Sequence, residues 1–494
     1  MLPDVALLGI FDLYVDEAGL SWYVLVHVCQ KWRNVVFGSP RRLGLKLHCG
    51  ASTPVRETLD VWPLLPIVIE ADSYDIWDVE NIIAALEHKD RICDLELYEF
   101  SFSQFKKVLK VMKQPFPALT HLRLWPKEEN VLHAPIPASF LGGSAPQLRT
   151  LVLAHIPFPE IPKLLLSATH LVTLSLQGIS RSWYISPETM LTCLSVLTRL
   201  VTLGIGFRSV LRRKSQTLPL PTRTQLPILS NLSFEGPIDY LEDLVARIDA
   251  PLLHNLDVTF YNQLIFDTPG LTQFISRTPK LKAYDTARVF FSDSDAWVIL
   301  SQTSTVFHRE FELRIAYKSK SDEQVSSLAQ ICSLSFPQPL IATVEHLYVL
   351  VFGSDWQPED DIENDQWLEL LHPFTAVKNV YIPLELTPSI SLALQDLVGE
   401  RTAEVLPALQ TLFLEDNTLF PSPPTLIYYT LSPQDLVGKR TAEVLPTLQA
   451  LFPSLPGVQD AIGQFAAARQ LSGHPFTVSP WDGDDGIDFP IEET

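Results

Sequence analysis

Five cysteines are the chain's strongest candidate nucleophiles and soft metal ligands: Cys29, Cys49, Cys93, Cys193 and Cys332. They are odd in number and far apart. With no CxxC pair and no Cys/His cluster, they specify neither a zinc site nor a disulfide framework. They read as small buried hydrophobes in a reducing cell interior. Gly204-Ile205-Gly206 lacks the third glycine and the helix start of a dinucleotide loop, and reads as a strand end. There is no GxSxG, no HExxH and no phosphate-cradling loop ending in Gly-Lys. Asp482, Asp484 and Glu493 stand where a calcium loop has its first, third and twelfth ligands. Gly486 and Ile487, however, occupy the positions that need a ligand and a turn glycine, so this acidic tail carries no metal. Ser215 follows Arg212, Arg213 and Lys214, an order that resembles a basophilic kinase site, and its phosphate would neutralise the basic patch. These readings leave no catalytic residue, no metal and no cofactor. Function then falls to side chains that bind.

What would position such side chains is a repeat. The pattern apolar–x–x–apolar–x–apolar begins at Leu64, Ile92, Leu119, Leu148, Leu171, Leu200, Leu229, Leu253 and, weakly, Leu281, at intervals of 23 to 29 residues. After a degenerate stretch containing FELRI near Leu313, it returns at Val344, Val377 and Leu409. Alternate residues of a strand face opposite ways, so the last two apolar positions enter the core together while the first leads in from the loop. Helically spaced segments such as IPKLLLSATH and YLEDLVARIDA fill the intervals. A strand and a return helix at this period is the arithmetic of the leucine-rich repeat, an α/β solenoid with parallel strands on its concave face and helices on its convex face. A doubly wound sheet also alternates strand and helix, but a recurring six-residue signature is not expected of it. The turn positions Phe100, Lys127, Ile156, Ile179, Arg208, Pro237 and Tyr261 stand where such repeats usually place Asn or Cys, so irregular turns are expected.

The outward strand positions lie two and four residues after each leading apolar residue. They include Asp94, Glu96, His121, Arg123, Thr150, Thr173, Ser175, Asn231, Asn255, Asp257, His346, Tyr348, Asn379 and Tyr381. This polar, mixed-charge face that ends in aromatics suits a protein or peptide target better than a small apolar ligand.

Composition agrees. Of 494 residues, 46% are apolar and 19% charged, enough for a large core. Thirty-nine prolines against 20 glycines argue for many short elements with hard stops. The formal charge is 37 minus 57, or −20, which disfavours nucleic-acid phosphate. No apolar run reaches the roughly 18 residues of a membrane span. The first residues carry Asp4 and Asp12 and no basic leader, so cytosol or nucleus is expected.

The first forty residues follow another rule. Leu7, Ile10, Phe11 and Tyr14, then Trp22, Leu25, Cys29, Trp32 and Val36, recur at helical spacing, more apolar surface than so few residues can bury. Leu2-Pro3-Asp4 with Leu7, Ile10 and Phe11, followed by Leu25, Val28, Cys29, Trp32 and Arg33, resembles the F-box, in the form expanded in fungi alongside irregular leucine-rich repeats. The resemblance implies docking on the Skp-type adaptor of a cullin-RING ubiquitin ligase through Leu2, Pro3, Leu7, Ile10, Phe11, Val28, Cys29 and Trp32, with the repeats presenting a protein substrate and no catalysis by this chain. The competing reading is a repeat scaffold whose N-terminal helices only cap the array. The expected organisation is an F-box-like region over 1–47, repeats over 48–414, and a duplicated segment, cap and acidic tail over 415–494. In that last region QDLVGERTAEVLPALQTLF from Gln395 returns as QDLVGKRTAEVLPTLQALF from Gln434, 16 of 19 positions identical. VQDAIGQFAAARQL beyond it reads as a capping helix.

Overall fold

A computed structural model describes residues 3–18, 25, 27–38, 45–50, 55–61, 64, 66–71, 78–127, 135–208, 223–261, 266–281, 284–302, 311–316, 321–335, 338–352, 362–399, 401–415, 444–452 and 455–481. The chain divides into two compact units. One comprises Met1–Leu211, Pro219–Ser233 and Arg247–Ala250; the other comprises Arg212–Leu218, Phe234–Ala246 and Pro251–Thr494.

The first unit opens with two helices, α1 (Asp4–Ala18) and α2 (Gln30–Gly38). Seven strands follow: β1 (Leu45–His48), β2 (Ile67–Ala71), β3 (Ile92–Phe100), β4 (His121–Pro126), β5 (Thr150–Ala154), β6 (Thr173–Ile179) and β7 (Thr202–Phe207). Each pairs in parallel with the next. Between them run α3 (Val55–Val61), α4 (Val79–Leu86), α5 (Phe102–Val111), α6 (Ile161–Ser167) and α7 (Pro187–Leu194). Helix starts are fixed locally. Asp78 caps α4 by accepting from Glu80 N–H, and Ser101 with Gln104 closes a capping box on α5. A short pair, β8 (Thr224–Gln225) with β10 (Ile248–Asp249), lies in the same unit. Strand β9 (Asn231–Gly236) begins in the first unit and ends in the second.

One device repeats. The two residues after a leading apolar side chain both donate to a single carbonyl of the preceding repeat. Arg149 and Thr150 N–H reach Thr120 O at 2.7 and 3.0 Å, Val172 and Thr173 reach Arg149 O at 2.7 and 2.9 Å, and Val201 and Thr202 reach Val172 O at 2.8 and 3.0 Å. This places leading Leu148, Leu171 and Leu200 at the same depth, all buried, with the paired strand leucines behind them. Where the usual turn asparagine is missing, Phe100, Ile156 and Ile179 are fully buried, so apolar anchoring replaces a hydrogen-bonded turn. Gly178 is the residue such a turn requires: its φ is +69°, and a Cβ there would run into the His155 ring.

The second unit holds β11 (Asn255–Tyr261), β12 (Thr286–Phe291), β13 (Asp295–Ser301), β14 (Phe311–Ala316), β15 (His346–Val351), β16 (Asn379–Ile382), β17 (Thr411–Glu415) and β18 (Thr477–Trp481). Its helices are α8 (Ile238–Val245), α9 (Pro269–Arg277), α10 (Ser321–Gln330), α11 (Gln338–Ile341), α12 (Asn364–Leu371), α13 (Thr387–Gln395), α14 (Val444–Leu451) and α15 (Pro456–Leu471). The strand order is β11-β14-β13-β12-β15-β16-β17-β18.

Four expectations change. The all-parallel array is interrupted, because β13 pairs antiparallel with both β12 and β14. The repeat read from Leu281 starts three residues later. Glu345 and His346 N–H both reach Asp285 O, so the buried Tyr284 takes the leading position. At the first repeat Leu64 is exposed and leads nothing into the core. The capping helix over VQDAIGQFAAARQL is present as α15, but a further parallel strand, β18, follows it.

Candidate interaction surfaces

The N-terminal helices build a small core of their own. Leu7, Leu8, Phe11, Leu25, Val35 and Val36 are buried, and the Phe11 ring meets Trp32 with centroids 4.8 Å apart. Leu7 and Phe11, expected at a docking face, therefore lie inside the helical pair. Phe11 faces α2 through Trp32, and burial accounts for the apolar type of Leu7 and Phe11. Trp32 is half-buried. Pro3, Val28 and Cys29 are exposed, and Leu2 lies outside the described residues. Pro3, just before α1, with Ala6 and Ile10 on it, at three- and four-residue spacing, forms an exposed stripe beside the buried positions. Ile10 is 47% and Val28 57% exposed, and Val5, which the sequence reading omitted, is 75% exposed. A Lys31–Asp4 ion pair at 3.5 Å borders this region. An open depression of about 400 Å³ lined by Asp4, Gln30, Lys31, Asn34 and Val35 adjoins it.

The outward strand residues stand on the sheet face as the register requires. In the first unit Glu96 pairs with Arg123 across β3 and β4, and Tyr98 Oη donates to Glu96 at 3.3 Å. His121 Nδ1 lies 3.7 Å from Asp94 and 2.8 Å from Thr120 Oγ1. Burial, with a smaller push from Arg149, holds its pKa below the usual histidine value. Thr173, Ser175 and Asn231 are half-buried. Thr150, expected on the open face, is buried: it is short, and its cross-strand partners His121 and Thr173 flank it. Beyond Arg123, Trp125 is exposed at the strand end, a residue the two-position reading did not reach.

The second unit presents a different face. Asn255 is half-buried and Asp257 exposed on β11. Glu312 pairs with Arg314 at 3.3 Å, and Arg314 lies over the Trp297 ring at 4.9 Å. Tyr348, Tyr381 and Phe413, in register on three consecutive strands, stack at 4.0 and 4.5 Å with interplanar angles of 7° and 5°. Trp297 stacks on Phe290 at 4.8 Å, on strands whose outward positions were unread because AWVILS is apolar on both faces and shows no alternation. His346 meets the Asn379 amide at 3.3 Å, and burial lowers its pKa.

The residues with chemical potential are quiet. Burial pushes the Cys49 and Cys332 thiols up to about 12, and Cys93 and Cys193 up to about 11, far from the thiolate needed for attack. Among the described residues no group of three or more His, Cys, Asp or Glu could hold a metal ion. Among them, too, no helix is long and apolar enough to cross a membrane. Ser215 and the acidic residues Asp482, Asp484 and Glu493 lie outside the described residues.

Parallel strands in register, several of them joined to the next by a shared carbonyl, with helices between them, give a repeat fold of the leucine-rich-repeat type. No family model matches the chain, and no curated protein matches it. Among solved structures it is similar to the leucine-rich repeat-containing protein LegL7 from Legionella pneumophila. That likeness has 14% sequence identity, covers 76% of this chain and 91% of that chain, and has a TM-score of 0.27.

Proposed function

We propose that the chain is a non-catalytic substrate receptor of a Skp-cullin-F-box type ubiquitin ligase. In this reading the N-terminal helices dock on the adaptor and the open sheet face of the repeats holds a protein target. The observation that carries it is the division of labour on α1 and α2: Leu7 and Phe11 satisfy the helices' own core while Pro3, Ile10 and Val28 stay exposed. Helices serving only as a cap would turn their apolar stripe onto the repeats. Co-purification of the full chain with a Skp-type adaptor tests the assignment. Ile10→Asp abolishes capture while far-UV dichroism and the thermal midpoint stay at wild-type values, because this side chain supports no internal packing. Trp32→Ala weakens capture too, but by loosening Phe11. Undiminished capture by Ile10→Asp, or no capture by the wild type, returns the protein to the scaffold reading, in which the repeats bind a target without delivering it to a ligase.

A further inference from the structure

Two N–H donors on the sheet face of the second unit border one ring and have no acceptor. The Arg288 guanidinium lies over Tyr348 at 5.4 Å. It donates from Nη1 to Ser301 Oγ at 2.8 Å, while its Nε is buried without a partner. On the other side the Trp481 ring stands T-shaped to Tyr348 at 6.3 Å and to Tyr381 at 5.8 Å. Trp481 is 6% exposed, and its indole Nε1–H is likewise unpaired. Arg314, two strands away on β14, is already paired with Glu312. Arg288 is half-buried with Tyr348 and Ile299 as its register neighbours, and among the described residues no ion pair joins it to a carboxylate. A half-buried cation left without an anion costs free energy, and so does each buried donor left without an acceptor. The cation's cost is relieved by an incoming anionic acceptor that meets the open edge of the Arg288 guanidinium.

We propose that this face receives an extended segment of a partner protein bearing an Asp or Glu side chain, whose carboxylate binds Arg288 while flanking apolar residues lie along Tyr348, Tyr381 and Phe413. The rings fix the apolar part of the requirement. They stack on one another, so their edges rather than their faces meet the partner, which suits branched aliphatic and aromatic side chains better than a planar ligand. Guanidinium sets the acidic part of the requirement, since its planar fork matches a carboxylate. The inference rests on the reading of the repeats as the target-binding part, and it specifies the class of target.

The test is selection of a random peptide display library on the full chain. Enriched sequences carry Asp or Glu next to an aromatic or branched aliphatic residue. Replacing the acid by its amide weakens a selected peptide about tenfold against the wild-type chain, and Arg288→Gln weakens the acidic peptide by a similar factor. The amide peptide is read on unaltered protein, so the result stands even if the variant folds poorly. Enrichment of basic or uncharged peptides, equal binding of acid and amide peptides, or no enrichment at all overturns the proposal. A chain carrying Ile10→Asp selects the same peptides, so failure of adaptor docking and failure of this site are read separately.

Discussion

At the scale of single residues, the most telling side chain is a buried one that makes no contact with any partner. Arg469, in the last turn of α15, is fully buried. Its Nε donates to His474 O at 3.0 Å and its Nη2 to Pro407 O and Leu409 O at 3.3 and 3.4 Å. Those two carbonyls belong to the turn that leads into β17, so one guanidinium ties the last long helix to the strand before it. Burial lowers its pKa, the expected direction for a cation taken out of water. Arg469→Met keeps most of the volume and strands three carbonyls, and costs about 2–4 kcal/mol in urea unfolding. Arg401 pairs with Glu404 at 2.7 Å on the surface, and Arg401→Met leaves the midpoint where it was. Equal effects from the two substitutions would show that the buried hydrogen bonds contribute nothing net. Nothing in the sequence singles out Arg469, because a helical arginine ordinarily sends its head to water.

At the scale of elements, the C-terminal duplication separates what sequence dictates from what surroundings decide. In the first copy Val405 to Leu409 form turns, with Leu406 at φ +51°, and Thr411–Glu415 is strand β17. In the second copy the matching Val444–Leu451 is helix α14. Leu414, the residue just after the first copy, is a fully buried strand residue with neighbours on both sides, and the residue just after the second copy is Pro453. Proline cannot donate to a ladder and is excluded from central strands. Leu414→Pro therefore costs about 3 kcal/mol or more and removes the unfolding cooperativity of this region. Thr411→Ala, which copies the second segment at an outward position, costs less than about 1 kcal/mol. A Leu414→Pro chain as stable as the Thr411→Ala chain would mean that β17 is dispensable.

The same contrast explains what could be read in advance. Parallel strands carrying the six-residue signature were legible because one face is apolar and the other polar, as at LRTLVL and LVTLSL. Strand β13 was not, since AWVILS is apolar on both faces and offers no alternation. Its outward Trp297 and Ile299 sit against Phe290 instead of solvent. The exposed ends of the candidate surfaces, Val5 and Trp125, escaped because each lies just beyond the spacing that identified its neighbours. Of the residues assigned to the docking helices, periodicity found the apolar set but could not sort Phe11 from Ile10. Which one turns inward depends on where α2 lies.

At the scale of the whole molecule, a repeat architecture fixes how damage spreads. Leu151 is fully buried on β5, in register with Leu122 on β4 and Leu174 on β6. Its backbone neighbours hold the shared-carbonyl device: Thr150 N–H goes back to Thr120 O, and Thr173 N–H in turn reaches Arg149 O. In a stack whose members touch only adjacent members, stability is a sum of local terms, so a cavity raises opening in its own repeat and the two beside it. Leu151→Ala removes about 2–5 kcal/mol at that site. Native-state hydrogen exchange then shows lost protection at the amides of Thr150 and Thr173, while Asn379 and Thr411, which both donate to carbonyls in the second unit, exchange as in the wild type. On the proposed reading, that locality would let a target grip one strand set and leave the N-terminal helices undisturbed. Protection lost uniformly from Thr150 to Thr411 would instead mean one cooperative block.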